Sequence, residues 1–169
     1  MQKNKKNNYN KIALGLEYHG QKFHGWQLQP NLAPELTIQG CVETALQKLI
    51  GSKSKELSVH VAGRTDKGVH AKEQVVHFEL LRGSKASQRK LDSWVLGLNR
   101  FLPDEIRALW VKVVDSEFHA RYSAKSRQYN YIIYNNRMRP ALFKGLVTWC
   151  YHTLDSDKMQ QAANYLLGE

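Results

Sequence analysis

Apolar residues alternate with small or polar ones through Ile12, Leu14, Leu16 and Tyr18, which predicts a β-strand, and Tyr18-His19-Gly20 then turns the chain. After a loop carrying Pro30 and Pro34 the period changes. Ile38, Cys41, Val42, Ala45, Leu46, Leu49 and Ile50 fall at helical spacing, with Thr37 placed to cap that helix and Gly51 to end it. Strand character returns over Leu57 to Gly63 and, with period-two alternation, over Gln74 to Leu80. Helical spacing resumes at Leu91, Trp94, Val95, Leu98, Phe101 and Leu102, and Pro103 stops it. Ile106 to Val114 predicts a further strand, with Leu109, Val111 and Val113 on one face.

The order strand, helix, strand, strand, helix, strand predicts an α+β fold, a ferredoxin-like βαββαβ unit. Two helices would cover one face of an antiparallel sheet and leave the other available to RNA. Beyond it, Arg127 to Tyr134 predicts a new strand and Val147 to Tyr151 another short one. Met159, Ala162, Ala163, Leu166 and Leu167 form a third helical stripe. The expected organisation is a basic flexible tail at 1–10, a ferredoxin-like half at 11–124, and at 125–169 the beginning of a second, similar half. The end of the chain at Gly168-Glu169 reads as a truncation, because the second set of apolar faces has little to pack on, or as a final helix capped by Gly168.

Composition narrows the class. Of 169 residues 42% are apolar and 24% charged, the balance of a globular protein, and no apolar run approaches the length of a bilayer span. Met1 to Asn10 is rich in Lys and Asn and lacks the apolar core of a signal peptide, so a cytoplasmic protein without a membrane partner is expected. Lys and Arg total 25 against 15 Asp and Glu, a formal charge of +10. A basic surface can simply keep a protein soluble. Here, however, arginines stand beside aromatics, in Arg121-Tyr122 and in Arg127-Gln128-Tyr129-Asn130-Tyr131, which suits phosphate contact next to base stacking. Cys41 and Cys150 have no paired spacing, so neither a disulfide framework nor a zinc knuckle is indicated.

The stretch Gly63-Arg64-Thr65-Asp66-Lys67-Gly68-Val69-His70-Ala71 sets one carboxylate between two cations in a turn joining two strands. Its two glycines copy part of a phosphate-binding loop. The match fails because Val69 and His70 stand where Lys and Ser or Thr are needed, and a strand follows where a helix should. Seven histidines invite a metal reading, but they form no helical pair, and the His-x-Glu and Pro-Cys-x-x-Cys of zinc deaminases are absent. They read as surface or hydrogen-bonded residues, with His70 a neighbour of the turn. Asp66 itself has two readings. It is an ordinary turn aspartate bonding its own backbone, or an ionised carboxylate favoured by Arg64 and Lys67 and available for nucleophilic or general-base chemistry. A non-catalytic RNA-binding module also fits the element order, although the aromatic, glycine-flanked signature of an RNA-recognition motif is missing.

The string Ala62 to Ala71 resembles the active-site motif of tRNA pseudouridine synthases of the TruA family. Tyr18-His19-Gly20, Phe23-His24-Gly25-Trp26-Gln27 and Thr37-Ile38-Gln39 are similar to the family's N-terminal pattern. Phe118-His119-Ala120-Arg121-Tyr122-Ser123-Ala124, Arg127 with Tyr129 and Tyr131, and Arg137-Met138-Arg139-Pro140 resemble its central segment. The resemblance runs in order from about Lys11 onward and covers only part of the family's length. It implies the pseudouridine synthase fold and isomerisation of uridine to pseudouridine at positions 38, 39 and 40 of the tRNA anticodon stem-loop. It implies no metal, nucleotide or redox cofactor, and it allows a homodimer. Asp66 matches the essential aspartate, Tyr129 the tyrosine that stacks on the flipped base, and Arg64 the motif arginine. That arginine would fill the vacated space, grip a phosphate, orient Asp66, or only pair with Asp66. Lys67 stands where alanine is frequent, and His19 where aspartate is. The family's second half also supplies a basic partner for the aspartate and an apolar pocket wall. The other readings are an RNA-binding module without chemistry and an inactive truncated relic.

Overall fold

The computed structural model describes residues 9–51 and 57–168. Of the tail expected at 1–10, residues 1–8 lie outside the described residues, and Tyr9 and Asn10 already belong to the first strand. The chain divides into two compact units, Met1–Arg127 and Gln128–Glu169. In the first unit, strand β1 (Tyr9–Tyr18) is followed by helix α1 (Ile38–Ile50), strands β2 (His60–Val61) and β3 (Ala71–Leu81), helix α2 (Leu91–Phe101) and strand β4 (Ile106–Val114). Their sheet is antiparallel throughout, in the order β2-β3-β1-β4.

The strand alternation sorts the side chains onto two faces. Ile12, Leu14 and Leu16 of β1 lie opposite Phe78, Val76 and Gln74 of β3, and this face carries the core. Val42, Ala45 and Leu46 of α1 join Trp94 and Leu98 of α2 in the same buried cluster, with the Phe78 and Trp94 rings 5.7 Å apart. Thr37 caps α1 as its sequence predicts, its hydroxyl oxygen accepting the Gly40 amide at 3.2 Å. Cys41 lies in the core of α1, where burial first, and the nearby Glu35 and Glu105 carboxylates after it, push its thiol up to about 11. It is a packing residue, not a nucleophile.

Two expectations about the sheet need correction. In β4 the register slips where Gly15 pairs with Trp110 and Leu16 with Ala108, leaving Leu109 as the extra residue of a β-bulge. The bulge reverses the phase of the strand. Ile106 and Ala108 are buried before it and Val111 after it; Val111 and Val113 share a face, opposite Leu14 and Ile12, while Leu109 is exposed and leaves it. The strand expected over Leu57 to Gly63 pairs with β3 only at His60 and Val61. Its ladder ends because Gly63 bonds the Gln74 side chain in place of a backbone partner: Gly63 donates to Gln74 Oε1 at 3.4 Å, and Gln74 Nε2 donates to the Gly63 carbonyl at 2.7 Å.

The sheet's second face is less open than its sequence suggests. Ala13 and His77, paired across β1 and β3 on that face, are each only 2% exposed. The segment after β4 covers them: Ala120 donates its amide to His77 Nδ1 at 3.1 Å, and Phe118 stands edge-on to the His77 ring. Lys11 holds this cover down by donating to the Ser116 and Phe118 carbonyls at 2.7 and 2.9 Å.

In the second unit, β5 (Ile133–Asn135) runs parallel to β6 (Thr148–Cys150), and helix α3 (Ser156–Asn164) follows. The strand expected from Arg127 is thus confined to its last residues, since β6 supplies ladder partners only from Ile133 onward among the described residues. The helix starts earlier than the apolar stripe indicates because Asp155 caps it, accepting the Lys158 amide at 3.0 Å. Leu166 and Leu167 fall beyond its end. Arg139 lies over the Trp149 ring at 4.5 Å. Among the described residues no helix is long and apolar enough to cross a membrane.

Candidate active site

Asp66 sits on the loop between β2 and β3, exposed, and the surrounding backbone is tied down from several directions. The Thr65 and Tyr18 hydroxyls share a hydrogen bond of 2.8 Å, and the Thr65 carbonyl accepts the Trp26 amide at 2.9 Å. Val69 donates its amide to the Asp66 carbonyl at 3.2 Å. One residue further on, His70 Nδ1 accepts the Gly20 amide at 3.1 Å. Gly25, at φ 94°, lets the 20–26 segment approach so closely that a Cβ there would stand 2.9 Å from the Thr65 carbonyl oxygen. The carboxylate is therefore presented to solvent on a rigid backbone, the condition a positioned nucleophile needs.

The electrostatics of the loop differ from a closed ion pair. No ion pair links Arg64 or Lys67 to Asp66 among the described residues, and all three side chains are exposed. The reading of Arg64 as a mere salt-bridge partner of Asp66 is not realised. A carboxylate and two cations thus face solvent on one short loop.

Gln74 is the brace that sequence reasoning missed. It is buried at an inward position of β3, with one end on the Gly63 backbone and Nε2 also reaching the Tyr18 hydroxyl at 3.4 Å. Its signal was present as a polar residue on the apolar phase of an alternating strand. Gln74→Met, which keeps the volume but removes both polar atoms, is expected to destabilise the fold by about 1–3 kcal/mol, because the Gly63 carbonyl loses its partner. Urea unfolding of the two proteins measures the difference.

A second brace is Arg127. Its Nη2 donates to the carbonyls of Ala62 and Arg121 at 2.8 and 3.0 Å, and its Nε also reaches Ala62. The residue expected to contact phosphate instead ties the strand leading into the Asp66 loop to the segment after β4. That segment is ordered by histidines: His119 Nδ1 accepts the Arg121 and Tyr122 amides at 3.2 and 3.4 Å. The His119 ring lies 4.6 Å from His77, which stacks at 4.9 Å on His60 of β2. Register explains the meeting, since His60 and His77 are direct cross-strand partners. Among the described residues no His, Cys, Asp and Glu group could hold a metal ion. In His77 and His119 the Nδ1 atoms accept backbone amides, so both rings act as structural acceptors.

Burial, then the neighbouring His119, His60 and Lys11, lowers the His77 pKa from its ordinary 6.5 to about 4. Burial, then the neighbouring His60, Lys11 and Arg121, lowers that of His119. A histidine depressed in the folded state binds its proton more readily when unfolded, so its stabilising effect is complete above about pH 6.5 and declines as pH falls toward 4. Thermal melting between about pH 7.5 and 4.5 is expected to show this decline. His77→Asn, whose Oδ1 can still accept the Ala120 amide without titrating, is expected to flatten the slope.

Of the sequence-predicted site residues, Asp66 and Arg64 share the loop of the first unit. Tyr129 belongs to the second unit, 72% exposed, in the irregular stretch before β5. Residues 16–123 match the family model described as tRNA pseudouridine synthase. Over 159 residues, 94% of this chain, the sequence is 48% identical to the tRNA pseudouridine synthase A of Yersinia pestis and to that of Legionella pneumophila strain Paris, covering 56% of each. It is 45% identical to the protein of the same name from Coxiella burnetii, covering 57%. The chain thus spans little more than half the length of these relatives.

Proposed function

Because this chain belongs to the tRNA pseudouridine synthase family, we propose that it isomerises uridine to pseudouridine at positions 38, 39 and 40 of the tRNA anticodon stem-loop, with Asp66 as nucleophile. The observation that carries this reading is the exposed carboxylate of Asp66, without an ion pair among the described residues, on a loop braced by Tyr18, Gln74 and the Trp26 amide. In the ribose route the carboxylate attacks C1′ and the N1–C1′ bond breaks, its electron pair leaving on uracil N1. The uracil turns, C5 attacks C1′ and displaces the carboxylate. The C5 proton then departs and N1 ends protonated. In the alternative route the carboxylate adds first to the base. Either way atoms and electrons balance without a metal, nucleotide or redox cofactor, and Asp66 is regenerated.

The target base must leave its stack first, at a cost of a few kcal/mol that protein contacts offset. Tyr129 would stack on the flipped ring, and Arg64 would grip a phosphate or fill the vacated place. The strand order β2-β3-β1-β4, with the βαββαβ sequence of elements, supports reading 11–124 as a ferredoxin-like half, and 125–169 as the beginning of a second. A cytoplasmic location and a homodimer belong to the same proposal. The test is incubation of the chain with unmodified tRNA and mapping of pseudouridine by carbodiimide adducts that stop reverse transcriptase. Stops one nucleotide 3′ of positions 38 to 40 are expected; tRNA that binds yet shows none would favour the RNA-binding module.

A further inference from the structure

We propose that Tyr122, flanked by Arg121, is a base-stacking subsite for an RNA nucleotide adjoining the one at Asp66. The choice of RNA as occupant rests on the function proposed above; the geometry of the subsite does not. Tyr122 is 79% exposed on a turn whose backbone is closed by hydrogen bonds. One side of the ring is backed by His119, with centroids 4.4 Å apart and planes 35° from parallel. His119 packs against both His77 and His60, at 4.6 and 5.5 Å, and these two stack at 4.9 Å, so a triangle of rings on the sheet backs Tyr122. The turn beneath it is closed: Ser123 donates its amide to the His119 carbonyl at 2.8 Å, and the His119 amide donates to Ser123 Oγ at 3.0 Å.

A ring fixed in this way loses little freedom when a base stacks on it, which is how a stacking platform gains affinity. The Arg121 guanidinium carbon lies over the Tyr122 ring, 6.0 Å from its centroid, and would swing aside for a stacked base to meet the phosphate of that nucleotide. The location follows from Arg127, one of whose nitrogens holds the carbonyls of both Arg121 and Ala62. Arg121 precedes Tyr122 and Ala62 opens the Asp66 loop, so platform and loop are neighbours within one unit. The formal charge of +10 suits a polyanion as the occupant.

The test measures binding apart from chemistry. Fluorescence anisotropy with a labelled anticodon stem-loop RNA gives the Kd of the 169-residue chain and its variants across a salt series. Tyr122→Ala is expected to weaken binding about tenfold without changing the salt slope, whereas Tyr122→Phe binds like the parent. Arg121→Ala is expected to reduce the slope by about one phosphate contact. A Tyr122→Ala protein that binds within about twofold of the parent overturns the subsite. So does an equal loss in Tyr122→Phe, or a parent chain that does not bind the RNA. Pseudouridine is assayed in the same samples, and a chain that binds through Tyr122 but forms none refutes the isomerase reading while leaving the subsite standing.

Discussion

Asp66→Asn is expected to lower pseudouridine formation by at least about 10⁴-fold while leaving the folded chain and its RNA affinity close to those of the parent. The size of the loss follows from chemistry. A neutral amide is nearly isosteric with the carboxylate but has no anionic oxygen to form the covalent bond, so the step that splits the reaction into two easier ones disappears. The absence of other effects follows from structure. The Asp66 side chain is exposed and forms no ion pair among the described residues, and the contact of Asp66 to Val69 uses its backbone carbonyl. Melting temperature and stem-loop Kd are therefore the controls. A variant that loses activity by unfolding, or by failing to bind, would show that Asp66 has a structural role instead.

Gly20→Ala is expected to reduce kcat about 100-fold without touching any residue proposed to meet the substrate. A Cβ on Gly20 would overlap the Val69 carbonyl oxygen and stand 3.2 Å from the Gly68 carbonyl carbon. Both are backbone atoms of the Asp66 loop, so no side chain can rotate away and the loop itself must shift. The same loop is pinned at Thr65 by Tyr18 and the Trp26 amide, which turns the shift into a displacement of the tip between fixed points. Overpacking of this kind also costs about 1–3 kcal/mol of stability. Gly97→Ala is the informative comparison. There the added methyl meets a methyl group of Leu49 between α1 and α2, a flexible side-chain end, so stability should change while kcat does not. Equal kcat values for Gly20→Ala and the parent would mean that the loop is not held as its hydrogen bonds indicate.

Much of this architecture is legible in the periodicity of the chain. The alternation at Ile12 to Tyr18 and the helical stripes from Ile38 and Leu91 set β1, α1 and α2, because each element buries one regular face. Leu109 was misplaced because a bulge changes the phase of a strand, and a fixed-period reading carries no sign of it. The short ladder of β2 escaped for a related reason: Gln74 imitates a backbone partner with its side-chain amide. His60, His77 and His119 match no motif by spacing. They meet because strand register and the cover of the sheet's second face bring them together.

At the site itself, residue types alone leave Asp66 between an ordinary turn and a nucleophile, and the resemblance carried by the ordered motifs from Tyr18 to Tyr131 is what favours the second reading. What no motif conveyed was the division of labour among the cations. Arg127 looked like a phosphate ligand by its place beside tyrosines, yet its guanidinium bonds two backbone carbonyls. Arg64, which sequence allowed as a simple partner of Asp66, makes no such pair among the described residues.

The role of Asp66 is tested most directly by single-turnover release of tritium from tRNA labelled at uracil C5, because that hydrogen is lost to water when C5 bonds to the ribose. The parent chain is expected to release tritium in proportion to the tRNA it binds, and Asp66→Asn none. Release from Asp66→Asn at the parent's rate, or none from a parent chain that binds the tRNA, would contradict the assignment of Asp66 as nucleophile.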